Sequence, residues 1–419
     1  MPFMPISANP LPLRTDRTLR AVPYATYAFC FINIIVYLNQ LALSPSGIYQ
    51  VTHHWGFVVS HPSLSTVFTY GFLHIELFHL LGNLLILWLM GTVLESAIGS
   101  IAFTLIYFAG LISAIILYGL IARAFFPATL DVPLNGASGA VAAVLGLAAF
   151  RYARLKVLTI PLVSVPAFLP IPIPLPIFFW VPLWMYALFF AGTELLEGMQ
   201  EIASTQPTMV AHWAHIGGLL LGALMALLAK MAQEGNREYV LEETTKATAG
   251  EGSQARSRQE VETLLRGNPE DPELLEAMAA LTLVNGEQEE SRTWYLKAIR
   301  HFLANGLHDR AAISYLNVMR GEHPAIFNPR EQILLASQLE TLGYFPEAAQ
   351  AFSLLAEKHH DRDEAPTALL RAAQIRQRNL CDPAGAADLL TILIARYPNS
   401  PWLNLASDRL REAKRVLGE

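Results

Sequence analysis

A serine, two histidines and an asparagine lie inside long apolar stretches of this sequence. Ser138 and His215 occupy two well-separated stretches, and His79 and Asn83 are four residues apart in a third. A hydrogen-bonding side chain in lipid is costly, so each needs a partner or a task. When a serine and a histidine come within hydrogen-bond distance, the imidazole can take the hydroxyl proton as the serine attacks a carbonyl. These residue types therefore predict acyl-transfer chemistry inside a membrane.

Acyl transfer also requires donors for the negative charge that develops on the carbonyl oxygen. His79 and Asn83 share one helical face, because side chains four residues apart lie on the same side of a helix. They offer two side-chain donors beside the Ser138 backbone N–H. No carboxylate in the helix of Ser138 or of His215 is placed to orient the imidazole, so the pattern predicts a Ser–His dyad.

Small residues indicate which helices bring these groups together. The stretch that begins near Gly136 and Gly139 is rich in glycine and alanine, and the last stretch contains a G-x-x-x-G pattern at 218–222. Helices with such small residues approach each other closely in membranes. We therefore expect the helix that carries Ser138 to pack directly on the helix that carries His215.

The apolar stretches predict the scaffold. Residues 21–230 contain eleven charged residues, whereas residues 231–419 contain 49. A spanning helix needs about 20 apolar residues, and six stretches meet or approach that length. This predicts an all-α fold, with a six-span transmembrane bundle over residues 21–230 and a soluble domain after it. The six predicted spans are 21–43, 72–94, 101–122, 136–152, 176–193 and 209–229.

Charge and cysteine content exclude other classes of protein. The net charge is -6, and no cluster of basic residues suggests a face that binds nucleic acid. The two cysteines, Cys30 and Cys381, are too few for a disulfide framework.

The positions of Lys and Arg predict the orientation in the membrane, because these residues collect in cytoplasmic loops. Placing the N-terminal segment 1–20 inside leaves Arg123 as the single basic residue in an outside loop, and six spans return the C-terminus to the cytoplasm. The expected outside segment 194–208 carries three glutamates.

The segment 160–182 contains seven prolines in an apolar background. Proline in a helix interior removes a hydrogen bond and clashes with the preceding turn. This segment therefore cannot be one regular helix, and we expect a loop along the membrane that leads into the fifth span.

Three strings of residues together resemble the rhomboid intramembrane serine proteases. Their order and helical context make the joint match specific, although each string is weak alone. The resemblance covers about residues 21–230. The strings are Gly136-Ala137-Ser138-Gly139, Ala214-His215-Ile216-Gly217-Gly218, and His79-x-x-x-Asn83 followed by Gly91 and Glu95.

The resemblance implies a serine endopeptidase that hydrolyses peptide bonds in or near transmembrane segments of membrane proteins, without metal or cofactor. Ser138 would be the nucleophile and His215 the general base and acid. His79, Asn83 and the Ser138 N–H would form the oxyanion hole. Glu95 would be structural, near the cytoplasmic end of the second span, and the glycines of the strings would support the packing. The expected location is a bacterial cytoplasmic (inner) membrane, with both termini in the cytoplasm.

Two positions depart from the family pattern. Many relatives have an aromatic ring four residues after the nucleophile, where this chain has Ala142. Some relatives have a Trp-Arg pair in the loop between spans one and two, whereas this chain reads His53-His54-Trp55-Gly56.

Two other functions compete with the protease: a non-catalytic family member that binds transmembrane clients, and a transporter. Retention of both Ser138 and His215 favours the enzyme, and the absence of paired broken helices disfavours the transporter.

Other polar residues near the spans have simpler interpretations. His212, one turn before His215, is expected at the membrane interface. His74 is expected to cap or hydrogen-bond the outer end of span two, and Glu76 to be exposed at the same end. The series His74-x-Glu76-x-x-His79 does not fit a zinc protease, because its histidines are five apart rather than four. No metal site is predicted.

The polar half predicts a linker over 231–256 and a helical domain over 257–419. Alanine pairs recur at intervals of 37 and 38 residues, each followed by a large apolar residue. A period of this length made of helix pairs is typical of an α-solenoid, and the domain resembles the tetratricopeptide family. Such stacks bind peptides or protein partners, so a cytoplasmic partner is expected. The alternative is a cap that stabilises or dimerises the protease. The pairs are Ala311-Ala312, Ala348-Ala349 and Ala386-Ala387.

Overall fold

The computed structural model describes residues 11–15, 21–160, 162–165, 169–174, 177–204, 211–320 and 325–418. The chain divides into two compact units, residues 1–239 and residues 240–419. Both are built mainly of α-helices, as predicted. The helices of the first unit, the last of which continues into the second, are α1 (Tyr24–Leu41), α2 (Pro45–Trp55), α3 (Thr66–Thr69), α4 (Leu77–Ile86), α5 (Thr92–Ile98), α6 (Ser100–Phe125), α7 (Ser138–Arg151), α8 (Leu183–Ser204), α9 (His212–Leu228) and α10 (Met231–Thr248).

The first unit also contains short antiparallel strands, which the sequence did not predict. The first, second and fifth strands along the chain form one sheet in that order, and the third strand pairs with the fourth in a separate hairpin. Proline tolerates extended backbone at a sheet edge, where no N–H has to join the ladder. The predicted fifth span, 176–193, was wrong at its start, because the fifth strand occupies its first part and the helix begins only at Leu183. The strands are β1 (Leu11–Thr15), β2 (Lys156–Ile160), β3 (Leu162–Val165), β4 (Leu169–Pro174) and β5 (Phe179–Pro182).

Three helical segments in the described residues are long and apolar enough to cross a membrane: Tyr24–Leu41, Leu77–Ile98 and Ser100–Phe125. The α9–α10 pair adds a fourth if its members, bent by 74° to each other, form one span. Helix α7 is apolar but has only 14 residues, about 21 Å at 1.5 Å per residue. The rest of the six-span arrangement stays a prediction.

The buried carboxylate of Glu95 holds the start of α1. Its two oxygens accept hydrogen bonds from the backbone N–H groups of Ala25 and Thr26, each at 2.7 Å, and from the hydroxyls of Thr26 and Ser100 at 2.7 and 2.5 Å. The first N–H groups of a helix lack partners within it, and an anion there is also favoured by the helix dipole. Glu95 thus joins the beginning of α1 to the end of α5.

Helix α10 is fastened to the C-terminal end of α7. The buried guanidinium of Arg151 donates to Glu234 at 2.7 Å and to Glu238 at 2.9 Å. A side chain at Gly235 would collide with the Arg151 backbone carbonyl, so the two backbones touch. The first part of the linker predicted over 231–256 is therefore helical, since α10 covers Met231–Thr248 and two of its charges pair with α7. The linker itself stays a prediction.

The second unit is a series of helices, each packed on the next along the chain. The recurring alanine pairs lie in three of these helices, and all six alanines are buried. The large residues that follow them, Tyr315, Phe352 and Leu390, are also buried. The repeated pattern therefore marks the core, while the solenoid and its tetratricopeptide likeness stay predictions. The helices are α11 (Gln254–Gly267), α12 (Pro272–Val284), α13 (Gln288–Ala304), α14 (His308–Met319), α15 (Pro329–Thr341), α16 (Phe345–Lys358), α17 (Ala365–Arg378), α18 (Pro383–Arg396) and α19 (Leu403–Leu417).

Candidate active site

Ser138 is the first residue of α7, and the loop before it adopts a conformation that requires glycine. Gly136 has a φ of 122°, and a Cβ added there would lie 2.6 Å from Cε1 of His79. The Gly136 N–H donates to the Tyr70 carbonyl at 2.9 Å, and the Tyr70 hydroxyl donates to the Leu111 carbonyl at 2.7 Å. The loop is thus fixed by a backbone hydrogen bond to Tyr70, whose own side chain is bonded to α6, and the His79 ring lies directly against the loop.

Helices α7 and α9 pack with their backbones in contact, as the small residues predict. A Cβ at Gly218 would lie 3.1 Å from the Cβ of Ala142 and 3.1 Å from the Ala143 nitrogen, and one at Gly222 would lie 2.7 Å from the Leu147 nitrogen. Only glycine permits so short a separation. Ser138 is one turn before Ala142, and His215 is one turn before Gly218, so both side chains project from the first turns of two touching helices.

His215 is held by α8. Its Nδ1 lies 2.8 Å from Oε2 of Glu194, and its ring centroid lies 6.1 Å from that of Phe190. His212 Nδ1 also lies 2.8 Å from the same Glu194 oxygen. The Glu194 side chain is 4% exposed and that of His215 12%. One buried carboxylate therefore joins two imidazoles from successive turns of α9.

This arrangement corrects two expectations. Glu194 was expected in an outside loop, but α8 continues through it to Ser204, and the carboxylate is buried where two imidazoles offset its desolvation. His212 was expected at the interface, but its side chain is 2% exposed. Neither α7 nor α9 contains an Asp or Glu, so the sequence did not reveal Glu194 of α8 as the partner of His215. The sequence contained one signal for Glu194. It follows Phe190 by four residues, so both side chains lie on one face of α8.

The two predicted oxyanion donors have different surroundings. Asn83 is buried, and its Nδ2 lies 3.0 Å from Nε2 of His74. His79 is exposed and lies against the Gly136 backbone. His74 was expected to cap or hydrogen-bond the outer end of span two. It is buried and hydrogen-bonds Asn83 of that span, and the Ala137 N–H also points to its Nε2 at 3.5 Å. His74 Nε2 accepts from both donors, which links Asn83 to the loop before Ser138. Glu76 lies on the surface.

Among the described residues, no hydrogen bond joins the Ser138 hydroxyl to His215. Catalytic hydrogen bonds are often long in an empty site and shorten when substrate binds. Ala142, where many relatives have a ring, is buried against Gly218 and cannot support the imidazole. Phe190 and Glu194 contact the imidazole from the other side instead. In the part of the chain described, no group of three or more His, Cys, Asp or Glu side chains is arranged to hold a metal ion.

Residues 61–231 match the family model for the rhomboid domain. No curated protein matches the chain. The match supports membership of the rhomboid family, whose members are typically intramembrane serine proteases that act on transmembrane substrates. Together with the apolar helices, it indicates a membrane-embedded protein. The matched range contains every residue of the candidate site, and α1 and the second unit lie outside it.

Proposed function

We propose that the rhomboid domain of residues 61–231 is a serine endopeptidase that cleaves membrane proteins in or next to their transmembrane segments. The observation that carries the proposal is the backbone contact of α7 and α9, which brings the first turns of these helices together. The first turn of α7 carries the Ser138 hydroxyl, and the first turn of α9 carries the His215 imidazole. The match of residues 61–231 to the rhomboid domain supports this reaction class for the pair.

In the first half of the reaction, the Ser138 hydroxyl attacks the carbonyl carbon of the scissile bond while Nε2 of His215 takes its proton. The negative oxygen of the tetrahedral intermediate is bound by the side chains of Asn83 and His79 and by the Ser138 N–H. Each preorganised donor of this kind contributes about 3–4 kcal/mol to the transition state. The N-terminus of α7 adds the favourable end of its dipole.

In the second half, the intermediate collapses and the peptide nitrogen leaves with the proton from His215. The product is an ester between Ser138 and the N-terminal fragment. Water then attacks the ester with His215 again as the base, and the second collapse restores the hydroxyl. The short length of α7 supports this water supply. A helix of about 21 Å cannot cross a hydrocarbon layer of about 30 Å, so a polar opening can reach its first turn.

The second unit is proposed to lie in the cytoplasm and to recruit a protein or peptide, in keeping with an inside N-terminus and six spans in a bacterial inner membrane. Its support is the regular series of packed helices, since such series present extended binding surfaces.

The proposed protease is tested by reaction of the full chain, purified in detergent, with a fluorophosphonate probe in the presence of EDTA. Wild type is expected to be labelled, and Ser138→Ala and His215→Ala are expected to lose labelling by at least about 10³-fold. The same samples are tested for cleavage of a model transmembrane substrate. A wild-type chain that is neither labelled nor able to cleave would reject the protease and favour a non-catalytic protein that binds transmembrane clients.

A further inference from the structure

We propose that Glu194 is a positioning residue that fixes the orientation and tautomer of His215, so that the site works as a serine–histidine–glutamate triad. The inference rests on the proposed protease function and assigns a third group to it. Its basis is the 2.8 Å contact between His215 Nδ1 and Glu194 Oε2. A carboxylate accepts hydrogen bonds and donates none, so the Nδ1 atom carries the proton.

This bond leaves the His215 Nε2 lone pair free. A histidine with the opposite tautomer presents an N–H to the serine and cannot act as its base. When Nε2 takes the serine proton, the imidazolium that forms lies beside a fixed negative charge. In a buried setting such a charge-assisted bond is stronger than a neutral one. The carboxylate therefore favours the protonated imidazole that the transition state requires.

The carboxylate is itself held in place. His212 Nδ1 lies 2.8 Å from the same oxygen. Glu194 is thus fixed by a second imidazole that does not reach the nucleophile through any described contact. Phe190, one turn earlier on α8, lies beside the His215 ring. Together Phe190 and Glu194 replace the support that Ala142 on α7 cannot give.

A purely structural ion pair and a positioning carboxylate predict different kinetics. If Glu194 only holds α8 to α9, its loss lowers stability, but each folded molecule keeps its turnover. If it positions His215, its loss lowers kcat while KM stays near the wild-type value, because the interaction acts in the transition state rather than on bound substrate.

The test compares wild type, Glu194→Gln and Glu197→Gln as full chains reconstituted with one model transmembrane substrate. Glu194→Gln keeps the shape and removes the charge. We expect its kcat to fall by at least about 10²-fold with KM within about threefold of wild type. Glu197→Gln is the matched control, because Glu197 is on the same helix, is partly exposed and contacts only His212 of the pair. It is expected to keep the wild-type kcat and KM.

The conservative Glu194→Asp variant keeps the inference testable if Glu194→Gln does not fold. It retains the charge but shortens the side chain by one methylene, so an intermediate kcat is expected. An active wild type with an unchanged kcat in folded Glu194→Gln, or in Glu194→Asp when the former does not fold, would overturn the positioning role and leave the protease intact. An inactive wild type would instead overturn the proposed function on which the inference rests.

Discussion

Replacing Gly136 with alanine tests whether the loop before Ser138 and the His79 ring form one fixed unit. The new Cβ would lie 2.6 Å from Cε1 and 3.0 Å from Nε2 of His79. An ordinary carbon contact is about 3.5 Å or longer, so the ring or the loop must move by about 1 Å. The φ of 122° adds backbone strain of about 1–3 kcal/mol for any residue other than glycine.

A displacement of about 1 Å in a catalytic arrangement can lower the rate by about 10²-fold. We therefore expect Gly136→Ala to lose about that factor in kcat/KM and in the rate of fluorophosphonate labelling. The matched control is Gly99→Ala. Gly99 has a φ of 82°, and a Cβ added there would have no heavy atom within 4 Å apart from Gly99 itself and its chain neighbours, so this variant carries backbone strain without any collision.

Both glycine variants are expected to have a lower thermal midpoint, and only Gly136→Ala is expected to be slow per folded molecule. The assay is labelling and cleavage normalised to folded protein. If Gly136→Ala labels and cleaves within about threefold of wild type, the loop does not fix the reacting groups and the geometric reasoning fails.

Two further predictions concern the membrane unit and its orientation. Glu95→Gln should lower the free energy of unfolding by about 2–4 kcal/mol, because it removes the buried charge that accepts from Ala25 and Thr26. Thermal unfolding measures this loss, exposed Glu76→Gln is the control, and equal midpoints would contradict the capping role. Cys381, which is free and exposed, should react with a membrane-impermeant maleimide in broken cells but not in intact ones. Labelling of intact cells would reverse the proposed cytoplasmic location, with Cys381→Ser giving the background.

The sequence alone was sufficient for features that depend on residue type and short-range spacing. A change in charge density separates the apolar and polar halves. The close contact of α7 and α9 follows from glycines at helical spacing, because no side chain separates the backbones there. His79 and Asn83 could be placed on one face of a helix, because side chains four residues apart share a face. The alanine pairs of the second unit predicted buried helix faces because buried positions recur with the helical period.

Only the tertiary structure decided which distant residues meet. From the sequence, Glu194 is expected to be a hydrated charge at the end of an apolar stretch. Its burial is possible because two imidazoles of α9 offset the cost of removing the carboxylate from water. In the same way, Glu95 caps a helix about 70 residues away, and Arg151 orders a segment that reads as a linker. Such pairings depend on the rotation and register of packed helices, which hydropathy and spacing within one helix do not specify. The local pattern therefore predicted the reacting groups, whereas the packing of α8 against α9 placed a buried carboxylate beside His215.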